Sequence, residues 1–224
     1  MREGVAEDRI HVVPLPTLEP IVDSSASKPP SGRMLFLGRL TGVKGCDHAI
    51  EATAHAAREL GRKLALDVCG TGPREAALRG VAASSDVEVS FHGWVDGERK
   101  RELLSQAEAL LLPSLWPEPF GMVGLEAGAH GVPCVAYRTG GIPDWLRPGQ
   151  NGELAEGFDA RALGRALARS LSNPDRYASL CRGALRVALE FSPERHLSQL
   201  LQLFTNSCAV GGSVAAVSGL PGSA

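Results

Sequence analysis

Short apolar runs and longer amphipathic stretches alternate along most of this chain. Met34–Leu37, Ala109–Leu112 and Val132–Ala136 are apolar throughout, without the every-other-residue polarity of a half-exposed strand. Such runs suit strands buried on both faces. Leu64, Leu66 and Val68 mark another strand, Val87–Phe91 one more, and Gly152–Leu154 a short last one. Helical spacing fills the intervals. Cys46, Ala49, Ile50, Thr53, Ala57 and Leu60 share one helical face, which ends at Gly61. Arg74–Ala83 and Gly97–Gln106 read as further helices, the second largely polar. Another begins just after Pro119, where a fixed φ helps and a missing N–H does no harm, and stops at Gly131 and Pro133. Strands and helices at this spacing predict an α/β fold, a parallel sheet with helices on both faces.

Beyond residue 158 the pattern is helical. Ala162, Leu163, Ala166, Leu167 and Ser170 form one stripe, Asn173-Pro174 breaks it, and a second helix runs to about Glu190. Ser192-Pro193-Glu194 opens a third, with Ser192 as N-cap, carrying Leu197, Leu200, Leu201 and Phe204. At the other end, Ile10–Val13 reads as a short strand cut by Pro14 and Pro16. These signals divide the chain into an N-terminal extension (1–22), a Ser/Pro-rich linker (23–32), a globular domain (33–208) and a small-residue tail (209–224) expected to be disordered.

Composition narrows the function classes. The 224 residues are 44% hydrophobic and 21% charged, enough for one good-sized core or two small ones. A formal net charge of −2 argues against broad nucleic-acid or anionic-membrane binding. The five cysteines (46, 69, 134, 181 and 208) have no close spacing of a metal or redox motif, and an odd, scattered set suits the reducing cytoplasm. No stretch is long and apolar enough to span a membrane, and the first residues do not form a secretion signal. The six histidines give no metal set. His48 and His55 are expected to be solvated, and His130 to complement the charge of a helix end.

The chemistry concentrates in residues 113–131, Pro-Ser-Leu-Trp-Pro-Glu-Pro-Phe-Gly-Met-Val-Gly-Leu-Glu-Ala-Gly-Ala-His-Gly. This is a strand-to-helix junction. The first amides of the helix, around Phe120, Gly121, Met122 and Val123, lack intrahelical partners and suit a phosphate or a polarised sugar oxygen. Glu118 in the loop and Glu126 on the second turn can accept hydrogen bonds from hydroxyls. Amides for an anion beside carboxylates for hydroxyls point to a sugar nucleotide. Arg39 and Lys44 flank a Gly-rich loop after Met34–Leu37, at the carboxyl end of a strand, where two cations can hold a diphosphate. Gly70-Thr71-Gly72-Pro73 reads as a tight strand-to-helix turn near the pocket. Trp94 reads as a packing residue. Gly140 and Gly141 would let backbone approach a ligand closely.

Glu118-Pro119-Phe120-Gly121, Glu126, Gly131-Val132-Pro133, Gly140-Gly141-Ile142-Pro143-Asp144 and Asn151-Gly152, in this order, resemble the donor half of family-four retaining glycosyltransferases of the GT-B fold. The resemblance extends from about Met34 to Phe204. It implies a Rossmann-like sheet ending in a helical segment, and a metal-independent hexosyltransferase with a nucleoside-diphosphate sugar as donor and no further cofactor. In that family Glu118's position binds hexose hydroxyls and Glu126's the ribose hydroxyls. The amides of Phe120, Gly121, Met122 and Val123 hold sugar and phosphate. Trp94 and Val95 lie where the family contacts the base, largely through backbone groups. Arg39 and Lys44 stabilise the leaving diphosphate in place of a metal, so Glu118, Arg39 and Lys44 are the expected catalytic set. Two departures stand out: Pro14-Leu15-Pro16 replaces Pro-Asn-Gly, and Asp144 replaces the usual Glu.

The family also carries an N-terminal acceptor domain of comparable size, of which residues 1–22 are the only candidate remnant. The expectation is that the acceptor (a sugar, lipid or small molecule) is held by that half or by a partner chain. Any peripheral membrane attachment would come through it. Two alternatives stay open: a donor-binding fragment without transfer activity, and a nicotinamide-dependent oxidoreductase. The latter is prompted by Gly70-Thr71-Gly72, although Glu75 stands where a third glycine would be.

Overall fold

The computed structural model describes residues 10–22 and 30–210. Its centre is a pair of adjacent parallel strands, β1 (Arg33–Leu37) and β4 (Ala109–Leu112), with Met34 opposite Ala109 and Leu35 opposite Leu110. From β1 the sheet runs outward through β2 (Ala65–Cys69) to β3 (Glu88–Gly93), and from β4 through β5 (Cys134–Tyr137) to β6 (Gly152–Ala155). The order is β3-β2-β1-β4-β5-β6, with every pairing parallel. Chain progression therefore reverses between β1 and β4, and the loops leaving these two strands diverge to frame a crevice.

Burial on both faces explains the uninterrupted apolar runs. Met34, Phe36, Ala109, Leu111, Val135 and Tyr137 point into one core. Their neighbours Leu35, Leu110, Leu112, Cys134 and Ala136 point into the other. The first core is covered by α1 (Cys46–Leu60), α2 (Glu75–Ala83) and α5 (Ala160–Leu171). The second is covered by α3 (Gly97–Gln106) and α4 (Met122–Ala129), and α6 (Pro174–Glu190) contributes to both. Local capping agrees with this packing. Asp159 accepts from the amides of Arg161 and Ala162, and Asn173 from those of Asp175 and Arg176 with Pro174 in the first turn, so α5 and α6 start where free amides find acceptors.

The ends depart from expectation. Ile10–Val13 is not a strand. Residues 10–22 form an extended arm on the surface, because both prolines interrupt it and its amides pair elsewhere than in the sheet. Thr17 donates its amide to the carbonyl of Phe191 (2.8 Å), and Val22 to that of Ala129 (2.9 Å). The last helix, α7 (Pro193–Val210), takes in residues 209 and 210 of the expected tail. Residues 211–224, and 23–29 of the expected linker, lie outside the described residues. Gly32 is already tied to the domain, its amide donating to Glu108 at 2.7 Å. On α7, Leu197, Leu201 and Phe204 are exposed.

The turn after β2 locks onto the loop after β1. Gly38 and Leu40 donate their amides to the carbonyls of Cys69 and Thr71, both at 2.9 Å. A Cβ on Gly70, at φ +133°, would lie 1.9 Å from the carbonyl oxygen of Gly38. Gly70→Ala is expected to cost about 2–4 kcal/mol of unfolding free energy, from strain plus displacement of backbone. Gly149→Ala, at φ +74° but with no atom within 4 Å, is expected to cost about 1 kcal/mol. Urea denaturation of both variants checks this; equal losses would show that the close approach is not what makes Gly70 necessary.

Candidate functional site

The loop after β1 carries Arg39 and Lys44, and the loop after β4 carries Glu118. The sheet order brings the two loops side by side at the carboxyl ends of the central strands. The amide of Leu115 donates to the carbonyl of Val43 (2.8 Å), tying them together. Across this junction Lys44 Nζ lies 2.6 Å from Glu118 Oε2. Ser114 Oγ (2.8 Å) and Trp116 Nε1 (3.3 Å) donate to the same oxygen. Lys44 also sits 5.7 Å from the centroid of the Trp116 ring. Sequence reasoning passed over Ser114 and Trp116. Their signal was position alone, four and two residues before a carboxylate in a loop.

Glu118 is buried, at 8% exposure. Burial pushes its carboxyl pKa up, but the hydrogen bonds from Lys44 and Ser114, the Lys44 charge and the Trp116 indole outweigh it. The carboxyl is thus held below the usual carboxylate range. The backbone around it is equally fixed. The amide of Gly141 donates to the Glu118 carbonyl at 2.8 Å. A Cβ on Gly140, at φ +54°, would meet that carbonyl oxygen at 2.0 Å. The glycine pair therefore admits the Glu118 loop.

The helix α4 starts two residues later than Pro119 suggested, with Gly121 as a left-handed N-cap at φ +77°. Among the described residues, the amides of Phe120, Gly121, Met122 and Val123 make no hydrogen bond. Phe120's ring packs against Phe191, and its carbonyl accepts from the buried Trp145 indole at 2.6 Å. Its side chain thus anchors the helix start while its amide stays available.

Arg39, Val95, Val123 and Glu126 line a cavity of about 320 Å³, together with Gly70, Thr71, Trp94 and Lys100. Arg39 is exposed and, among the described residues, has no carboxylate within ion-pair distance. Trp94 does not pack in the core. It is 73% exposed at the edge of this cavity. Glu126 lies 3.5 Å from Lys100 Nζ. Gly70 and Gly72 spend their close approach on Gly38 and Leu40, not on an open phosphate cradle. The histidines also differ from expectation in part. His48 shares a 2.7 Å hydrogen bond with the buried Tyr137 hydroxyl. His55 is half-buried, and burial with the Arg58 and Arg161 charges lowers its pKa. His130, at the end of α4, is buried with its Nε2 3.7 Å from Glu19.

Residues 19–186 match the sequence model of the family described as "Glycosyl transferases group 1". The chain belongs to this family. It is 32% identical over 226 residues to the D-inositol 3-phosphate glycosyltransferase of Acidothermus cellulolyticus, covering 92% of this chain and 50% of that protein. Among solved structures, sucrose-phosphate synthase from Thermosynechococcus elongatus is similar, with a TM-score of 0.68 at 28% identity, over 88% of this chain and 47% of that one. Anabaena HepE, solved in complex with UDP and glucose, gives 0.69 at 21% identity, over 78% and 48%. The chain thus spans about half the length of the curated relatives it matches, and its sheet is the C-terminal half of a GT-B fold.

A test follows from the electrostatics of Glu118. Its folded pKa is depressed, so the stability it contributes is fully present above the unfolded carboxylate value of about 4.3 and is lost as pH falls through the folded value. Glu118→Gln is expected to destabilise the protein by about 1–3 kcal/mol at neutral pH, since it leaves the half-buried Lys44 ammonium without its anion. The difference should shrink below pH 4. Thermal melts of both proteins from pH 3 to 7 decide it; a difference constant with pH would refute the ion-pair account.

Proposed function

We propose that this chain binds a nucleoside-diphosphate sugar in the crevice between the β1 and β4 loops, as the donor half of a glycosyltransferase. What supports the reading most is the cavity shared by Arg39, Val123 and Glu126, beside helix-start amides of residues 120–123 that are unpaired among the described residues, with Glu118 on the loop that leads into the same helix. The diphosphate faces Arg39, Lys44 and the helix amides, which also stabilise charge developing on the leaving group. These cations take the part a metal would otherwise play. Glu126 accepts from ribose hydroxyls, Glu118 from the hexose, and the base lies near Val95. Retention of anomeric configuration belongs to the same reading and is supported by the motif resemblance.

Transfer needs an acceptor hydroxyl held close to the anomeric carbon, and such positioning accounts for several kcal/mol of a barrier. We assign that wall to the other half of the relatives' length, where a sugar, lipid or small-molecule acceptor would bind. A second reading, donor binding without transfer by this span of residues alone, is favoured by that half-length coverage. Supplying sugar nucleotide and a panel of acceptors to the purified chain separates the two. We place the protein in the cytoplasm, supported by four buried cysteines outside disulfides; among the described residues no helix is long and apolar enough to cross a membrane.

Calorimetry against UDP, GDP and ADP tests the reading, and absence of binding to all three would overturn it. Arg39→Ala is expected to weaken nucleoside-diphosphate binding by about 1–3 kcal/mol and to leave the bare nucleoside nearly unchanged. Equal losses would remove Arg39 from the diphosphate. Glu126→Gln should weaken the ribonucleotide far more than its 2′,3′-dideoxy analogue, which offers that carboxylate no hydroxyl; matching losses would return Glu126 to a solvated helix charge.

A further inference from the structure

Glu19, on the surface arm of residues 10–22, is an unexpectedly buried acid, its side chain 8% exposed. It sits on Lys100 of α3, at contact distance, and 3.3 Å from Arg101 Nε. Lys100 in turn reaches into the donor cavity, where its ammonium is 3.5 Å from Glu126. Two carboxylates from different elements thus share one ammonium that is itself only 18% exposed. Burial pushes the Lys100 ammonium toward deprotonation, but the Glu19 hydrogen bond and the charges of Glu126 and Glu19 outweigh it, so the cation persists.

The arm is held where this contact requires it. It is bonded at Thr17 to the end of α6, at Val22 to the end of α4, and Pro14's carbonyl shares a 2.8 Å hydrogen bond with His196 on α7. Glu19's amide donates to Thr17 Oγ1 at 3.3 Å. A charge this buried costs free energy unless paired, and its main partner is a lysine of the pocket wall. Glu126 has no ion-pair partner other than Lys100 among the described residues. On its own, Glu126 would sample several rotamers, and ordering it would be charged against ligand binding.

We infer that Lys100, anchored by Glu19, is a positioning residue that holds the Glu126 carboxylate toward the donor pocket. The stronger hold of Glu19 keeps Lys100 from closing fully on Glu126, so that carboxylate is oriented yet left with free lone pairs. The inference rests on the ribose reading of Glu126. It goes beyond it in making the arm part of the nucleotide site.

The test uses the whole chain with UDP and 2′,3′-dideoxy-UDP, replaced by the GDP or ADP pair if either nucleotide binds more tightly. Lys100→Met, which keeps the stem and removes the charge, should cut ribonucleotide affinity roughly tenfold with little change for the dideoxy analogue. Lys100→Arg should restore most of it. Glu19 does not line the cavity, so Glu19→Gln separates positioning from direct contact. It should lower the ribo-over-dideoxy preference several-fold in the native background and change nothing further in Lys100→Met. Thermal melts confirm that each variant is folded. If Glu19→Gln leaves the preference intact, or lowers it equally in both backgrounds, the inference is overturned. If the native chain binds none of the nucleotides, the donor-site reading fails first and takes this one with it.

Discussion

The Lys44–Glu118 contact spans the point where the order of the sheet reverses, and much of the site's geometry follows from it. In a parallel sheet with crossover helices on both faces, only the β1/β4 position leaves its two strand-end loops uncovered. Here one loop brings a cation and the other an anion, 2.6 Å apart. With Ser114 and Trp116 on the same carboxylate oxygen, the arrangement satisfies a buried charge and fixes the Glu118 loop. The start of α4, and so the free amides of residues 120–123, is positioned by that loop and by the Trp145 indole on the Phe120 carbonyl. A rigid scaffold thus presents hydrogen-bond donors on loops, the economical way to build a binding site on an α/β sheet.

Close backbone contacts carry this rigidity outward. The β1 loop is bonded to the β2 turn through Gly38 and Leu40, and the Glu118 loop to Gly141. At Gly70 and Gly140 a side chain would collide with a carbonyl oxygen two ångströms or less away. At these glycines the space a side chain would need is filled by neighbouring backbone. That is why Gly70-Thr71-Gly72 looks like part of a dinucleotide fingerprint and serves as a loop-to-loop seam.

What the sequence revealed and concealed divides along a physical line. Strands buried on both faces leave unbroken apolar runs, and the caps at Asp159 and Asn173-Pro174 mark helix starts locally, so the elements from residue 33 to 190 were legible. That Lys44 and Glu118 lie on loops at one end of the sheet, and that Arg39 and Glu126 share a cavity, was also legible, because strand ends and helix starts fix where such residues go. Long-range choices were not. Nothing in the sequence says that Lys44 would spend its charge on Glu118, that Trp94 would face solvent, or that Glu19 would reach Lys100 across 81 positions. Ile10–Val13 failed because β-propensity is a statement about a partner, and the arm has no sheet edge beside it.

The two cations of the crevice consequently differ in kind. Lys44 is mostly buried and neutralised by Glu118, whereas Arg39 is exposed and, among the described residues, without a carboxylate partner. On the proposed reading, a diphosphate approaching the crevice would meet Arg39 and the helix amides as net attraction. It would meet Lys44 as half of a pair whose charge is already balanced at short range. Recruiting Lys44 requires either a shared ammonium, which has three donors and can serve both a phosphate and Glu118, or release of the carboxylate. Sharing is the cheaper course, since release would leave Glu118 with only the Ser114 and Trp116 donors in a poorly solvated setting. In that arrangement Lys44 would tie the phosphate to the carboxylate proposed for the hexose. On that reading, the ion pair that ties the two loops together also couples the diphosphate to the adjoining hexose.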